Sequence, residues 1–481
     1  MSVGGSAKAF AGRTLPSDDW RKLAVPVIMV LVGVFGLGLG VMIGAINPLL
    51  AALVGGAIVM ALLVLLRQDE VLLALVIAIH LYIDWYWGLY LGAQVMVIAM
   101  LFIYYCGRSE RFPWVIPPAL WLWLAFVLLA ILPSMHGIST NDTLNYYFNI
   151  FFGSLTIYWL GNLVARDIFN VRRVFQLLAL IGTLVAIHTI IVTLTGKFLF
   201  ATTRFDDYFA SISNYDMGGG VLRAGSFLIN PDSDGGFLAM MMFLPLGLFV
   251  ESKSLRGKIY YISQVLLQLV ALLFTYSTGG WLAAGVGIVA FTIFVGDTRY
   301  RVAMAAFILV SIAFLLLFFP VQIGYQVQHA IAPNEASLRF AAWQTGLRVI
   351  QAYPLLGVGV GRYVYFTRAE PYRVLAQYVP LSHPHNSYLE IGALAGIPLM
   401  VIFIALLAFA FWLSLRNWMR ADRQTRALLG GGIATIVALS VDSMVVNEWT
   451  LIPVATIGWL IFGVMSSPLL RGSRSRTGRI G

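Results

Sequence analysis

Long apolar runs, repeated along most of the chain, constrain this sequence more than any other feature. Each run has the length of roughly 18–25 residues that an α-helix needs to cross the hydrocarbon core of a bilayer. Within that core every backbone N–H and C=O must be paired inside the protein, so spanning segments of this kind are helical. Only 11% of the 481 residues are charged, whereas soluble domains carry about 25%. The sequence therefore predicts an all-α polytopic membrane protein.

We expect about 12–14 transmembrane helices, because two short connections leave the number of separate spans open. The apolar runs lie near 24–44, 48–66, 70–90, 92–106, 113–133, 147–165, 174–195, 228–250, 259–276, 279–296, 302–319, 386–415, 427–446 and 450–467.

The distribution of basic residues predicts the orientation of these spans. The net charge of +10 would suit a nucleic-acid partner, but basic residues in membrane proteins mark cytoplasmic loops. With both termini in the cytoplasm, 23 of the 31 Lys and Arg residues fall on the cytoplasmic side. We therefore predict a multi-pass membrane protein with both termini in the cytoplasm and no nucleic-acid partner. The other eight lie in two loops on the opposite side: Lys197, Arg204, Arg223, Arg339, Arg348, Arg362, Arg368 and Arg373.

This topology divides the chain into five predicted parts. Residues 1–23 form a cytoplasmic amino-terminal segment, and residues 24–319 a transmembrane bundle with a periplasmic loop at about 196–227. A large periplasmic loop follows at 320–385, and residues 386–467 form the carboxy-terminal transmembrane helices. Residues 468–481 form a basic cytoplasmic tail.

The large periplasmic loop has a helical pattern of its own. In "PNEASLRFAAWQTGLRVIQAYP", apolar residues recur at helical spacing between a cap at Asn334 and a stop at Pro354. This pattern predicts an amphipathic helix at the outer membrane interface. In the following "PLLGVGVGRY", alternating glycines around Gly359 are typical of turns, and such backbone can also hold a phosphate on free N–H groups.

Titratable and polar residues are concentrated in "LSHPHNSYLEIGALAGIPLM", which places His385 and Asn386 directly before an apolar run. His385, Asn386 and Gly396 have the spacing of a motif of the O-antigen ligase and O-antigen polymerase superfamily, which the chain resembles over about 200–400. Leu399 stands where a small or hydroxyl residue often follows in that motif. "RFAAWQTGLRVIQAYPLLGVGVGRY", which begins at Arg339, is similar to the segment that precedes this histidine.

Two further stretches carry the resemblance with departures. "RAGSFLINPD", residues 223–232, is similar to an arginine, glycine-phenylalanine and proline-asparagine turn of these enzymes, but Asp232 stands where Asn is usual. "YST" at 276–278 is similar to a Tyr-Ser-Arg stretch, but Thr278 replaces the arginine, so the role of that arginine is not carried over.

The resemblance implies a protein of the bacterial cytoplasmic (inner) membrane with a glycosyltransferase-C-like fold and an active site that opens to the periplasm or cell exterior. It further implies transfer of a glycan from an undecaprenyl-diphosphate carrier to a glycan or lipid acceptor, with inversion and without a metal or other cofactor. A ligase and a polymerase are not separable on these motifs, and the oligomeric state is left open.

The chemistry assigns roles to three residues. A departing diphosphate needs guanidinium groups, so Arg223 and Arg339 are the predicted diphosphate ligands. An acceptor hydroxyl needs a base that is unprotonated near neutral pH, which an imidazole supplies, so His385 is that base or a hydrogen-bond ligand. Additional predicted substrate-binding or orienting residues are Arg204, Arg362, Asn386, Glu390, Trp343, Gly359 and Asp442.

Two other classes of function remain as alternatives. A multi-span solute transporter would also have many apolar helices, although transporters commonly contain two similar halves and a site near the bilayer midplane. This chain has no recognisable internal repeat, and its polar residues collect near the outer ends of its spans. The third interpretation is a non-catalytic subunit of a polysaccharide export assembly.

Overall fold

The computed structural model describes residues 115–196, 215–216, 222–223, 225–228, 230–295, 298–330, 333–361, 363–374 and 383–471. The four predicted spans before residue 107, the amino-terminal segment 1–23 and most of the basic tail lie outside the described residues.

The described chain is almost wholly helical. It also contains three short helical segments that are not α-helical. They are a π-helical turn at Tyr147–Phe152 and two 3-10 turns, at Glu370–Tyr372 and at Pro468–Arg471. Its α-helices, in chain order, are α1 Leu120–Leu129, α2 Ile131–Ser134, α3 Thr140–Tyr146, α4 Gly153–Val164, α5 Ile168–Thr195, α6 Pro231–Met241, α7 Phe243–Glu251, α8 Leu255–Thr275, α9 Thr278–Phe294, α10 Thr298–Phe318, α11 Pro320–Ala330, α12 Pro333–Ala352, α13 Val364–Arg368, α14 Ser387–Ala395, α15 Ile397–Arg420, α16 Arg423–Asp442 and α17 Ile452–Ser466.

Five helical segments of the described chain are long and apolar enough to cross a membrane. They are α5, the joined pair α6–α7, α8, α15 and α16, and four shorter apolar helical segments accompany them. The prediction of an all-α polytopic membrane protein is confirmed. Besides the helices, the described residues contain one antiparallel pair of two-residue strands, β1 Tyr215–Asp216 and β2 Leu222–Arg223.

The pair α6–α7 lies at the centre of the bundle. Its apolar window is 94% buried, more than that of any other spanning segment described. The predicted run at 228–250 is therefore one span, but it is interrupted at Met242. Pro245 explains the interruption, because its ring nitrogen cannot donate to the carbonyl of Met241 one turn earlier.

Another predicted run, 386–415, is divided into α14 and α15 at Gly396. This glycine has φ +87°, and an added β-carbon would lie 2.2 Å from the carbonyl oxygen of Leu355. Only glycine adopts this conformation against a neighbouring backbone without a clash. Pro398 then occupies the first turn of α15, where a missing N–H costs nothing.

The large loop contains the predicted helix, α12, with one difference in its start. The helix begins at Pro333, so Asn334 lies inside its first turn rather than capping it. A proline at the first helical position is favoured for its fixed φ. The helix ends at Ala352, two residues before Pro354, because the residue that precedes a proline is disfavoured in the α conformation.

Candidate active site

The ends of several helices meet at one side of the bundle. These are the starts of α6, α9 and α14 and the ends of α8 and α16. Local side-chain caps fix the three starts: Asn230 accepts from the amide of Asp232, Ser277 from that of Gly280, and Asn386 from those of Tyr388 and Leu389. The Ser277 hydroxyl also donates to the carbonyl of Asp232 at 3.3 Å, which ties the starts of α6 and α9 together.

Two arginines from distant parts of the chain share one carboxylate here. Arg223 on β2 contacts Oδ1 of Asp232, and Nη2 of Arg339 on α12 lies 3.7 Å from Oδ2 of the same residue. The side chains of Arg223, Asp232 and Arg339 are 9%, 15% and 17% exposed. We call these three residues, with His385, the guanidinium cluster.

Arg223 is the more firmly held of the two arginines. It is buried, and its Nε donates to the carbonyl of Thr275 at the end of α8 at 2.8 Å. Arg339 has the greater exposure, and its contact with Asp232 exceeds hydrogen-bonding distance. The outer guanidinium therefore keeps hydrogen-bonding capacity that the inner one has partly used on the scaffold.

His385 lies beside Arg339 because α12 holds the loop that carries it. Trp343, one helical turn after Arg339 and on the same face of α12, donates its indole N–H to the carbonyl of His385 at 3.2 Å. His385 adopts a left-handed φ of +49°, and its amide donates to Nδ1 of His383 at 3.2 Å. His383, whose ring centroid is 4.4 Å from that of His385, is thus part of the support of this loop.

The imidazole of His385 is unprotonated at neutral pH in the donor-free protein. Its Nδ1 is buried and has no hydrogen-bond partner among the described residues. Burial, followed by the positive charge of Arg339, lowers the pKa of His385 to about 4, and the carboxylate of Asp232 opposes this shift. The ring is therefore neutral at pH 7, which leaves a nitrogen lone pair available to a ligand hydroxyl.

Two fully buried acidic residues lie close to the cluster. Asp442, at the end of α16, fits between Gly236 and Gly279, where a β-carbon would be 1.8 Å and 2.7 Å from its carboxylate oxygens. Glu448 is equally buried, and burial together with the neighbouring Asp442 raises the pKa of Glu448 well above its usual value. Because Asp442 has no exposed surface, it packs between α6 and α9 rather than lining a surface open to substrate, in contrast to its predicted contact with substrate.

Asn386 and Glu390 have different places from those predicted. The Asn386 side chain caps α14 and donates to the carbonyl of Met444 at 3.0 Å, so it fixes the backbone next to His385 rather than the imidazole. Glu390 is buried, and its carboxylate accepts from Tyr146 at 3.1 Å and from Thr450 at 2.6 Å. Its carboxylate thus joins α14 to α3 and to the turn before α17.

The prediction of a phosphate-binding backbone around Gly359 is not supported. The amides of Gly357, Val358, Gly359 and Val360 already donate to carbonyls of the protein. Gly359 has φ +108°, and an added β-carbon would lie 2.5 Å from the carbonyl oxygen of His136. The glycine is needed for this close approach between two backbone segments.

Arg204 and Arg362 lie outside the described residues. Within the described ranges, no group of three or more His, Cys, Asp or Glu side chains is arranged to hold a metal ion. The bridging position of Asp232 and the burial of Glu448 were not predicted. The signal for Asp232 was its place directly after the Asn230–Pro231 helix start, on the same turn as the predicted diphosphate ligand Arg223.

A comparison with protein families bears directly on this site. Residues 263–404 match the family described as O-Antigen ligase. The match includes Arg339, Trp343 and His385, and it confirms the resemblance to the O-antigen ligase and polymerase superfamily. It also supports an O-antigen ligase-type membrane glycosyltransferase activity in general, with glycan donor and acceptor substrates. No curated protein matches the chain.

Proposed function

We propose that this protein is a metal-independent, inverting glycosyltransferase that uses an undecaprenyl-diphosphate-linked glycan as donor. The acceptor is a glycan or a lipid, and transfer takes place at the periplasmic face of the inner membrane. The observation that carries the proposal is the meeting of Arg339 and His385, which α12 brings together through Trp343. One group suits a diphosphate and the other suits a hydroxyl.

The guanidinium groups would bind the donor and stabilise its departure. As the bond from the anomeric carbon to the phosphate oxygen breaks, negative charge grows on the diphosphate. Arg339 is the more exposed of the two arginines, so it would make the first contact with the phosphates. Planar guanidinium groups bind such oxygens through paired hydrogen bonds.

His385 would act on the acceptor. The acceptor oxygen forms the new bond to the anomeric carbon, its proton passes to the neutral imidazole, and the electron pair of the breaking bond leaves with the lipid diphosphate. Inversion requires the hydroxyl to attack opposite the departing diphosphate. Substitution of His385 by glutamine distinguishes a base from a hydrogen-bond ligand to the acceptor, because glutamine can form the hydrogen bond but cannot take the proton.

The charges at the two ends of the bundle support a periplasmic orientation of the site. The guanidinium cluster lies at the starts of α6 and α9, while Lys253, Arg256 and Lys258 follow α7 at its opposite end. The excess of basic residues at that opposite end favours the cytoplasm there. The guanidinium cluster would accordingly face the periplasm, with both termini in the cytoplasm.

The test is reconstitution of the purified full-length protein with carrier-linked glycan, candidate acceptors and a metal chelator. We expect transfer to continue in chelator and to be lost in Arg339→Ala and His385→Ala. Joining of repeat units would identify a polymerase, and transfer of finished glycan to a lipid would identify a ligase. Absence of transfer by the purified native protein would favour a non-catalytic subunit. In cells, loss of solute uptake in His385→Ala without accumulation of carrier-linked glycan would favour a transporter.

A further inference from the structure

Asp232 is the one carboxylate of the guanidinium cluster, and it occupies the position in which the proposed function places an anion. Its two oxygens face Arg223 and Arg339, as two phosphate oxygens would. A carboxylate and a phosphate are both recognised by guanidinium groups through paired oxygens. In the protein without donor, Asp232 therefore offsets part of the positive charge that the diphosphate would offset later.

The contacts of Asp232 with the two arginines differ in strength. Its Oδ1 is in close contact with Arg223, whose Nε is also tied to the Thr275 carbonyl. Its Oδ2 is 3.7 Å from Arg339, and no hydrogen bond is formed at that distance. An arriving anion can therefore take Arg339 without first breaking a hydrogen bond, whereas Arg223 would remain with Asp232.

We propose that Asp232 is an exchangeable counterion, which positions both guanidiniums in the donor-free protein and releases Arg339, but not Arg223, to the diphosphate. This inference rests on the proposed function. It makes Asp232 a positioning residue that acts on the substrate through Arg339.

The exchange has a consequence for turnover. The lipid diphosphate that leaves after transfer has the same head group as the donor, so any interaction that tightens donor binding also slows release of this product. A negative charge that competes for Arg339 weakens both. Asp232 thereby keeps the affinity for the diphosphate low enough for release, and its loss is expected to lower KM and kcat together.

The test uses the purified full-length protein in detergent, with farnesyl diphosphate as a soluble probe of the head-group site. In Asp232→Asn the side chain keeps its size and can still accept from Arg223, but its charge is lost. We expect farnesyl diphosphate to bind at least ten-fold more tightly than to the native protein, and both KM and kcat for carrier-linked glycan to fall. Glu370→Gln, which removes an exposed carboxylate from the 3-10 turn Glu370–Tyr372, is the matched control and should change affinity less than two-fold.

A second variant keeps the inference testable if Asp232→Asn does not fold. Asp232→Glu retains the charge and extends it by one methylene towards Arg339, so farnesyl diphosphate should bind several-fold more weakly. Unchanged affinity in either folded variant would overturn the inference, while binding to the native protein would leave the proposed function standing. If the native protein does not bind farnesyl diphosphate, the proposed function fails and this inference fails with it.

Discussion

The two ends of the bundle each contain a buried or half-buried arginine with a carboxylate, and the two pairs are built differently. At the basic end, Arg172 of α5 donates to both oxygens of Glu251 at the end of α7, from Nε at 2.9 Å and from Nη2 at 2.6 Å. At the other end, Arg339 stands 3.7 Å from Asp232, which a second arginine also contacts.

This difference separates a structural pair from one with room for a ligand. The paired hydrogen bonds of Arg172 and Glu251 join α5 to α7, and the carboxylate is only 5% exposed. The Arg339 contact is longer than a hydrogen bond, and it lies next to a neutral imidazole. Guanidinium groups with unused donors next to a proton acceptor are what group transfer from a diphosphate requires.

The largest effect on glycan transfer should come from substitutions in the guanidinium cluster. In Arg339→Ala or His385→Ala we expect the rate of glycan transfer to fall by about 10²–10⁴-fold, the usual range for one stabilising donor or one general base. Arg348→Ala, an exposed arginine later on α12, is the matched control and should retain transfer. Equal losses in all three variants would mean that α12, rather than its individual side chains, is required.

Substitution in the Arg172–Glu251 pair should lower the stability of the protein without changing the rate of transfer. Glu251→Gln weakens the charged hydrogen bonds to Arg172, so we expect the free energy of unfolding to fall by about 1–3 kcal/mol. Transfer per folded molecule should remain at the native rate. Thermal unfolding in detergent measures the first and reconstituted transfer the second, with exposed Lys253→Gln as the control at the same end. If Glu251→Gln lost transfer while keeping native stability, the Arg172–Glu251 pair would not be purely structural.

The pH dependence of kcat/KM should report the protonation of His385 in the guanidinium cluster. Because the pKa of His385 is lowered to about 4, kcat/KM should persist from pH 7 down towards that value and then fall as the imidazole is protonated. With donor bound, the diphosphate charge favours the imidazolium, so kcat should fall at a higher pH than kcat/KM does. The control Glu370→Gln should give the native profile. A decline of kcat/KM centred near 6.5, the ordinary value, would contradict the assignment.

The free energy of unfolding should also depend on pH through His385. His385 is neutral in the folded protein between about pH 4 and pH 6.5, whereas it binds a proton in the unfolded chain over the same interval. Its contribution to stability is therefore complete above pH 6.5 and is lost as the pH falls from 6.5 towards 4. Thermal unfolding of the native protein and of His385→Gln over this interval would measure that contribution.

The smallest effect should come from the support of His385. Trp343→Phe removes the indole N–H that donates to the His385 carbonyl, and one such hydrogen bond is worth about 0.5–1.5 kcal/mol. We expect kcat to fall by about 2–10-fold while the protein remains folded. Trp412→Phe on α15, an exposed ring that packs against Arg416, is the matched control and should not change kcat. A loss as large as that of His385→Ala would give Trp343 a direct contact with substrate.

Hydropathy predicted most of the described spans to within a few residues. The run at 259–276 is α8, Leu255–Thr275, and the run at 427–446 is α16, Arg423–Asp442. It did not predict the divisions at Met242 and Gly396. A hydropathy pattern reports which residues prefer lipid, but not where a proline removes an N–H or where a glycine meets a neighbouring backbone.

For the site, the sequence indicated which residues come together better than it indicated the surroundings of each one. Arg223, Arg339, Trp343 and His385 meet as expected, since each belongs to a recognisable local motif. The bridge through Asp232 joins residues more than 100 positions apart, which no local pattern records. The roles expected of Gly359 and Glu390 differ in the structure because their surroundings already satisfy the relevant polar groups.

The position of Asp442 between two glycines has a consequence for substitution at this helix crossing. Its carboxylate occupies the space that a β-carbon on Gly236 of α6 or on Gly279 of α9 would need. Adding a methyl group at either glycine would therefore push against the end of α16, which carries Asp442. The sequences of these three helices constrain one another at this crossing, so a change in one of them would require compensation in the others.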